Sequence, residues 1–105
     1  MNTQNQPALE VVHFTSNPEV SDEQLITAAT AMREILQSWP GFIKRELIKV
    51  KDKHWIDVVH WSNSETAMAA QQSAMQSKVC VAYFALMTAS EEQMFHGNIV
   101  LSQQF

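Results

Sequence analysis

Glycine is almost absent from this chain of 105 residues, and Gly41 and Gly97 are the two it has. A Walker loop, a dinucleotide fingerprint and other phosphate cradles need clustered glycines, so the familiar ATP, GTP and NAD motifs are excluded. Cysteine is scarcer still. Cys80 stands alone, which rules out an internal disulfide and a Cys-based zinc site and is compatible with a reducing compartment. Charged residues make up only 17 %, and seven Lys and Arg against eleven Asp and Glu leave a net charge of −4. Such a surface is not built to hold phosphate backbones, so nucleic acid is not an expected partner. No run of 18 apolar residues occurs, and the start MNTQNQPA has neither the basic residues nor the apolar stretch of a signal peptide. The expectation is a cytoplasmic protein with no membrane partner.

Against these absences stands an abundance of apolar side chains, 46 % of the chain, with three Trp and six Met, which marks a globular rather than a disordered protein. The length suits one domain whose core hides roughly two thirds of the unfolded chain's surface. No repeat, low-complexity tract or linker divides it, and the expected organisation is a flexible tail over residues 1–7 and a single domain over 8–105. The apolar content exceeds what a small monomer needs. A second buried surface would account for the excess.

Residues 9 to 15 (LEVVHFT) are rich in β-branched and aromatic types and stop at the turn cluster Ser16-Asn17-Pro18, so they read as a strand. Val11 and Val12 are both apolar, which predicts that both faces of this strand are covered. Ser21 and Gln24 form a capping box, with Asp22 and Glu23 at the positive end of the helix dipole. Leu25, Ala29, Met32, Leu36 and Trp39 then recur on one helical stripe, which Pro40-Gly41 ends. Residues 42 to 51 (FIKRELIKVK) and 54 to 61 (HWIDVVHW) alternate as strands around Asp52-Lys53. Asn63 and Ser64 open a helical region over residues 66 to 87, where the pattern weakens near Ser77-Lys78 and predicts a bend or two helices. Residues 94 to 105, with Ile99-Val100-Leu101, read as a last strand.

The order βαββαβ is the ferredoxin-like α+β arrangement, a four-stranded antiparallel sheet with the helices on one face. Apolar residues on both sides of the strands leave the other face uncovered. A second copy of the same face is the natural cover, so a homodimer is expected.

Trp39-Pro40-Gly41-Phe42 leading into the second strand, and a third strand ending at Trp61 before WSNSETAMAA, resemble the antibiotic-biosynthesis monooxygenase-like superfamily of dimeric α+β barrels. The similarity runs from about Leu9 to Phe105, and its motifs identify the fold more sharply than the activity. The resemblance implies a barrel of two sheets with a cavity between each sheet and its helices. Members include cofactor-free oxygenases of polycyclic phenols, haem-degrading oxygenases, quinone-related enzymes and proteins of unknown role. Haem-degrading members use an Asn on the first strand with a Trp and a His on the second helix, and neither region here supplies them. Phenol-oxidising members carry an Asn four residues before the strand-end Trp, where this chain has Asp57 before Trp61. Arg45, Trp55-Ile56-Asp57 and His96 resemble a further subgroup of that superfamily.

Several residues can carry chemistry. Asp57 sits among Trp55, Ile56, Val58 and Val59, where a charge must be paired to be buried. It is either a base or orienting carboxylate in a cavity, or a structural ion pair with Arg45 across the hairpin. Strand parity separates these alternatives: a strict two-residue turn opposes Arg45 to His60 and puts Arg45 and Asp57 on opposite faces, whereas a bulge of one residue brings them together. His60 and His96, at strand ends, are candidate proton carriers because imidazole titrates near neutrality, with backbone-bonded histidines as the structural alternative. His13 is a candidate for the barrel interior and His54 for an exposed hairpin tip. No spacing among the histidines and carboxylates sets a metal site, so no metal is expected. Trp55, Trp61, Tyr83 and Phe84 either wall an aromatic pocket or pack the core. Glu10 faces the cavity or solvent, and Cys80 reads as a small buried residue.

Two functions follow from this reading. One is a cofactor-independent monooxygenase in which His96, Asp57 or His60 deprotonates a phenol or quinol held by Trp61, Tyr83, Arg45, Trp55 and Glu10. Such chemistry requires no cofactor because the substrate supplies the electrons. The other is a non-catalytic small-molecule-binding or stress-response module using the same cavity.

Overall fold

The structure, a computed structural model, describes residues 6–88 and 93–104. Its elements follow as β1 (Ala8–Thr15), α1 (Asp22–Thr30), α2 (Arg33–Ser38), β2 (Phe42–Lys51), β3 (His54–Trp61), α3 (Ser64–Ala74), α4 (Lys78–Phe84) and β4 (Gln93–Asn98). The strands form one antiparallel sheet in the order β2-β3-β1-β4, which is the expected ferredoxin-like topology. Among the described residues no helix is long and apolar enough to cross a membrane.

Alternation along the strands divides the sheet into two faces. Trp55, Val59 and Trp61 of β3 and Phe14 of β1 are buried beneath the helices and join Leu25, Ala29, Met32, Leu36, Ala67, Ala70 and Tyr83 in the core. Small alanines on α3 let its backbone lie close to the sheet. The opposite face carries Leu9, Val11, Ile56 and Val58, together with Ile48 and Phe95, which are 44 % and 56 % exposed.

The single helix expected between Ser21 and Trp39 is two. Ser21 caps α1 through the predicted box, its hydroxyl accepting from Gln24 N–H at 3.1 Å and its own N–H donating to Gln24 Oε1 at 2.8 Å. The helix breaks after Thr30 because the Ala29 carbonyl accepts from Met32 N–H at 3.1 Å and from Arg45 Nη1 at 2.8 Å. The stripe nevertheless survives: Leu25, Ala29, Met32 and Leu36 are all buried. Near Ser77 the second helical region also divides, and the Ser77 hydroxyl caps α4 by accepting from Cys80 N–H at 3.3 Å.

Gly41 ends the first helical layer at φ +83°, a left-handed conformation that side chains other than hydrogen resist. A Cβ there would stand 2.4 Å from Thr66 Oγ1 and 2.7 Å from Ser62 Oγ, so the close approach of this turn to the α3 start requires glycine.

The expected extent of the last strand is corrected. The last strand stops at Asn98 rather than continuing to residue 105, because Asn98 already pairs with Ala8, the first residue of β1. Beyond it, among the described residues, only Ile99 N–H is tied, to the Pro7 carbonyl at 2.8 Å, and Val100 and Leu101 are 84 % and 73 % exposed. The expected tail lies mostly outside the described residues, as does Phe105, and Pro7 is held by that bond.

Candidate functional site

The site is assembled by a single extra residue. Asp52-Lys53 makes the tight turn between β2 and β3, with Lys53 in the left-handed region at φ 66°, and Lys51 pairs with His54. A bulge at Val50 then moves the register by one, so that Leu47 faces Asp57 and Arg45 faces Val59. Of the two parities open in the sequence, the bulged one is adopted. Arg45 and Asp57 therefore share the helix-covered face.

There they form a bidentate pair. Arg45 Nε donates to Asp57 Oδ1 at 3.0 Å and Nη2 to Oδ2 at 2.6 Å, while Tyr83 Oη donates to Oδ2 at 2.8 Å. The guanidinium carbon lies 4.9 Å from the centre of the Tyr83 ring, a cation–π contact. Side-chain exposure of only 12 % and 6 % makes this a desolvated pair, tolerable because every carboxylate oxygen has a donor. Burial and then the Asp57 charge hold the Tyr83 phenol well above its ordinary range, so Tyr83 is a neutral donor here. For Arg45, burial pulls downward, but hydrogen bonding to Asp57 and its charge outweigh it and keep the guanidinium charged.

A second acid approaches this cluster from β1. Glu10 opposes Val59 on one side and His96 of β4 on the other, in phase with Phe14 and therefore under the helices. Its Oε2 is 3.2 Å from His96 Nε2. Burial raises the Glu10 pKa above the ordinary 4.5, and the Asp57 charge adds to this, although His96 and Arg45 oppose it. His96 retains a side-chain exposure of 24 % against 15 % for Glu10, so the pair leads from the interior toward solvent.

Glu10, Arg45, Asp57, Tyr83 and Trp61 line one interior cavity of about 80 Å³ between sheet and helices. Met32, Met75, Met87 and Met94, four of the six methionines, line it as well. The sequence reading missed this methionine wall. Only the helical and strand phases of those positions could have announced it. Met75 and Met94 are 63 % and 44 % exposed and flank the cavity on its solvent side. The indole N–H of Trp61 is buried with no acceptor among the described residues.

Other candidates fall elsewhere. His60 is on the opposite sheet face, with Nε2 3.1 Å from Glu46 Oε1, and does not reach the cavity. Trp55 is buried on the helix side but borders a separate groove outside the cavity. His13 is exposed on the open sheet face, and His54, expected at an exposed tip, is half-buried. Cys80 is buried, and Phe84 lines the cavity beside Tyr83. Among the described residues no three metal-binding side chains converge.

No protein-family model matches the chain, and no curated protein is similar to it in sequence. Solved structures share its fold. A variant of SnoaB, a cofactor-independent oxygenase from Streptomyces nogalater, superposes with a TM-score of 0.77 at 15 % identity over 92 % of this chain and 96 % of its own. The monooxygenase of the ActVA-Orf6 gene of Streptomyces coelicolor, solved in complex with nanaomycin D, gives 0.69 at 16 % identity over 95 % and 93 %. A protein of unknown function from Nitrosomonas europaea gives 0.68 at 9 % identity over 96 % of each chain. The chain thus has the fold of the antibiotic-biosynthesis monooxygenase-like proteins expected from its Trp39-to-Phe42 and Trp61 motifs, and these identities establish the fold alone.

Proposed function

We propose that this protein is a small cofactor-independent monooxygenase of phenolic or quinol-like aromatics, with the Glu10–His96 pair as its base. The observation that carries the reading is a cavity-lining carboxylate, raised in pKa by burial, backed at 3.2 Å by an imidazole that opens to solvent. Glu10 takes the phenolic proton and His96 passes it outward. The electron-rich phenolate then reacts with O₂: one oxygen atom enters the ring, the other leaves as water, and the electrons come from the substrate, which ends as a quinone. Neighbours of the same fold include a cofactor-independent oxygenase and a monooxygenase complexed with nanaomycin D, which favours this chemistry over others the fold could hold.

Asp57 has a different part in this reading. Engaged by Arg45 and Tyr83, it is a positioning carboxylate rather than the base. Trp61 supplies an aromatic wall of the cavity. At about 80 Å³ the cavity offers less than the ~150 Å³ that holds benzene in an apolar core, so a ring enters by displacing methionine side chains, which are suited to it by their unbranched flexibility.

The second part of the proposal is a homodimer through the open sheet face. Ile48 and Phe95, 44 % and 56 % exposed, stand beside half-buried Val11, Ile56 and Val58, an apolar surface that a lone chain would leave wet. We place the dimer in the cytoplasm, where Cys80 stays reduced. Sedimentation at micromolar concentration is expected to give twice the chain mass, and Val58→Lys, which puts a charge in the middle of that face, a monomer. A wild-type monomer would overturn the dimer.

Oxygen uptake tests the chemistry. A panel of hydroquinones and polycyclic phenols is expected to include at least one compound that the wild type oxidises, with uptake reduced in His96→Ala and unaltered in His60→Ala. Unchanged uptake in His96→Ala would remove His96 from the relay. Binding of such compounds without uptake of oxygen would make the protein a binding module instead.

A further inference from the structure

Adjoining the cavity, with Leu36 and Arg45 common to both, a groove of about 670 Å³ runs between α1, α2 and β2. We propose that it binds an amphipathic organic anion, specifically an aryl carboxylate of one or two fused rings. Its volume falls in the range of small-molecule sites, roughly 300–1,000 Å³. Its floor and walls include Ile26, Leu36, Phe42, Leu47 and Trp55, apolar and aromatic surfaces that suit a flat ring.

The charge around this groove is the decisive feature. The whole chain has seven Lys and Arg and a net charge of −4, yet Arg33, Lys44, Arg45 and Lys49 all line this one groove. Asp22 is the single acid among its lining residues. Lys49 is paired with Asp22 at 2.6 Å and Arg45 with Asp57, so neither offers its full charge to a ligand. Arg33 and Lys44 have no carboxylate within 4.0 Å among the described residues. The groove therefore carries a surplus of two cations on a protein that is otherwise acidic.

A carboxylate is an acceptor only, and it matches free cations beside apolar walls. Most of the groove's lining lies on the helix side of the sheet, with Lys44, which opposes His60, at its rim on the edge strand β2. Two free cations are also too few to hold a polyanion such as nucleic acid.

Binding is read without turnover, so this inference stands or falls separately from the oxygenase reading. Isothermal titration of the full chain at low salt, with 2-naphthoate and its neutral twin 2-naphthamide, decides it. Naphthoate is expected to bind at least about tenfold more tightly than the amide and to weaken as salt screens the exposed cations. Arg33→Gln and Lys44→Gln are each expected to weaken naphthoate about two- to fivefold, in keeping with partly exposed charge pairs, and to leave the amide unchanged. Lys78→Gln, a cation on α4 away from the groove, is expected to change neither. Equal affinity for acid and amide, no binding of either, or an equal loss in Lys78→Gln would each overturn the proposal.

Discussion

Replacing Arg45 by Met is expected to cost about 3–5 kcal/mol of folding stability, the usual penalty for stranding one member of a buried ion pair. Asp57 would keep its burial and its Tyr83 hydrogen bond but lose both guanidinium donors, and the Ala29 carbonyl at the end of α1 would lose its third-party donor as well. Urea unfolding measures the loss directly. The double variant Arg45→Met, Asp57→Leu is expected to recover most of it, since a well-packed apolar pair avoids the desolvation that the ions required. A single variant within about 0.5 kcal/mol of wild type would mean that water reaches Asp57 and that the pair is not desolvated.

Glu10→Gln is expected to move activity and stability in opposite directions. As the proposed base, Glu10 accounts for about a 10²- to 10⁴-fold acceleration, and oxygen uptake should fall by that factor. The pH profile supplies a second readout. Uptake by the wild type should rise as Glu10 ionises, at a pH above the ordinary 4.5 because burial opposes the charge, and Glu10→Gln should lack this limb. Stability follows from the same shift. A carboxyl whose pKa is raised on folding stabilises the fold at pH below its unfolded value, and that contribution is lost as pH climbs through the folded value. At neutral pH the amide variant, uncharged at any pH, should therefore be at least as stable as wild type. A variant that lost both activity and stability would point to a structural role for Glu10 instead.

The legibility of this fold in its sequence was uneven, for reasons that can be located. The strands β2 and β3, the capped start of α1 and the Leu25-to-Leu36 stripe follow from local periodicity, and periodicity depends only on neighbours along the chain. The break after Thr30 was hidden because its cause, Arg45 on the Ala29 carbonyl, is a contact between residues 16 positions apart. The end of β4 was misread because Ile99-Val100-Leu101 has the composition of a strand, but a strand needs a partner and β1 begins at Ala8. In the site, Glu10 could have been given its inward direction from the alternation of Ala8, Glu10, Val12 and Phe14. The meeting of Arg45 with Asp57 could not be given, because two registers were open and a bulge is decided by the turn and by what each register buries.

That bulge also makes the hairpin length-sensitive in a way that substitution scans would not reveal. Val50 contributes little by its own side chain, half of which is in solvent. Its presence as one residue too many is what counts. Deleting it, or grafting an idealised turn that closes the hairpin in strict register, would rotate Arg45 to the open sheet face and leave Asp57 buried without its cation. The protein is thus tolerant at this position to almost any letter and intolerant to a gap, and the chemistry of its interior is encoded there by chain length rather than by residue identity.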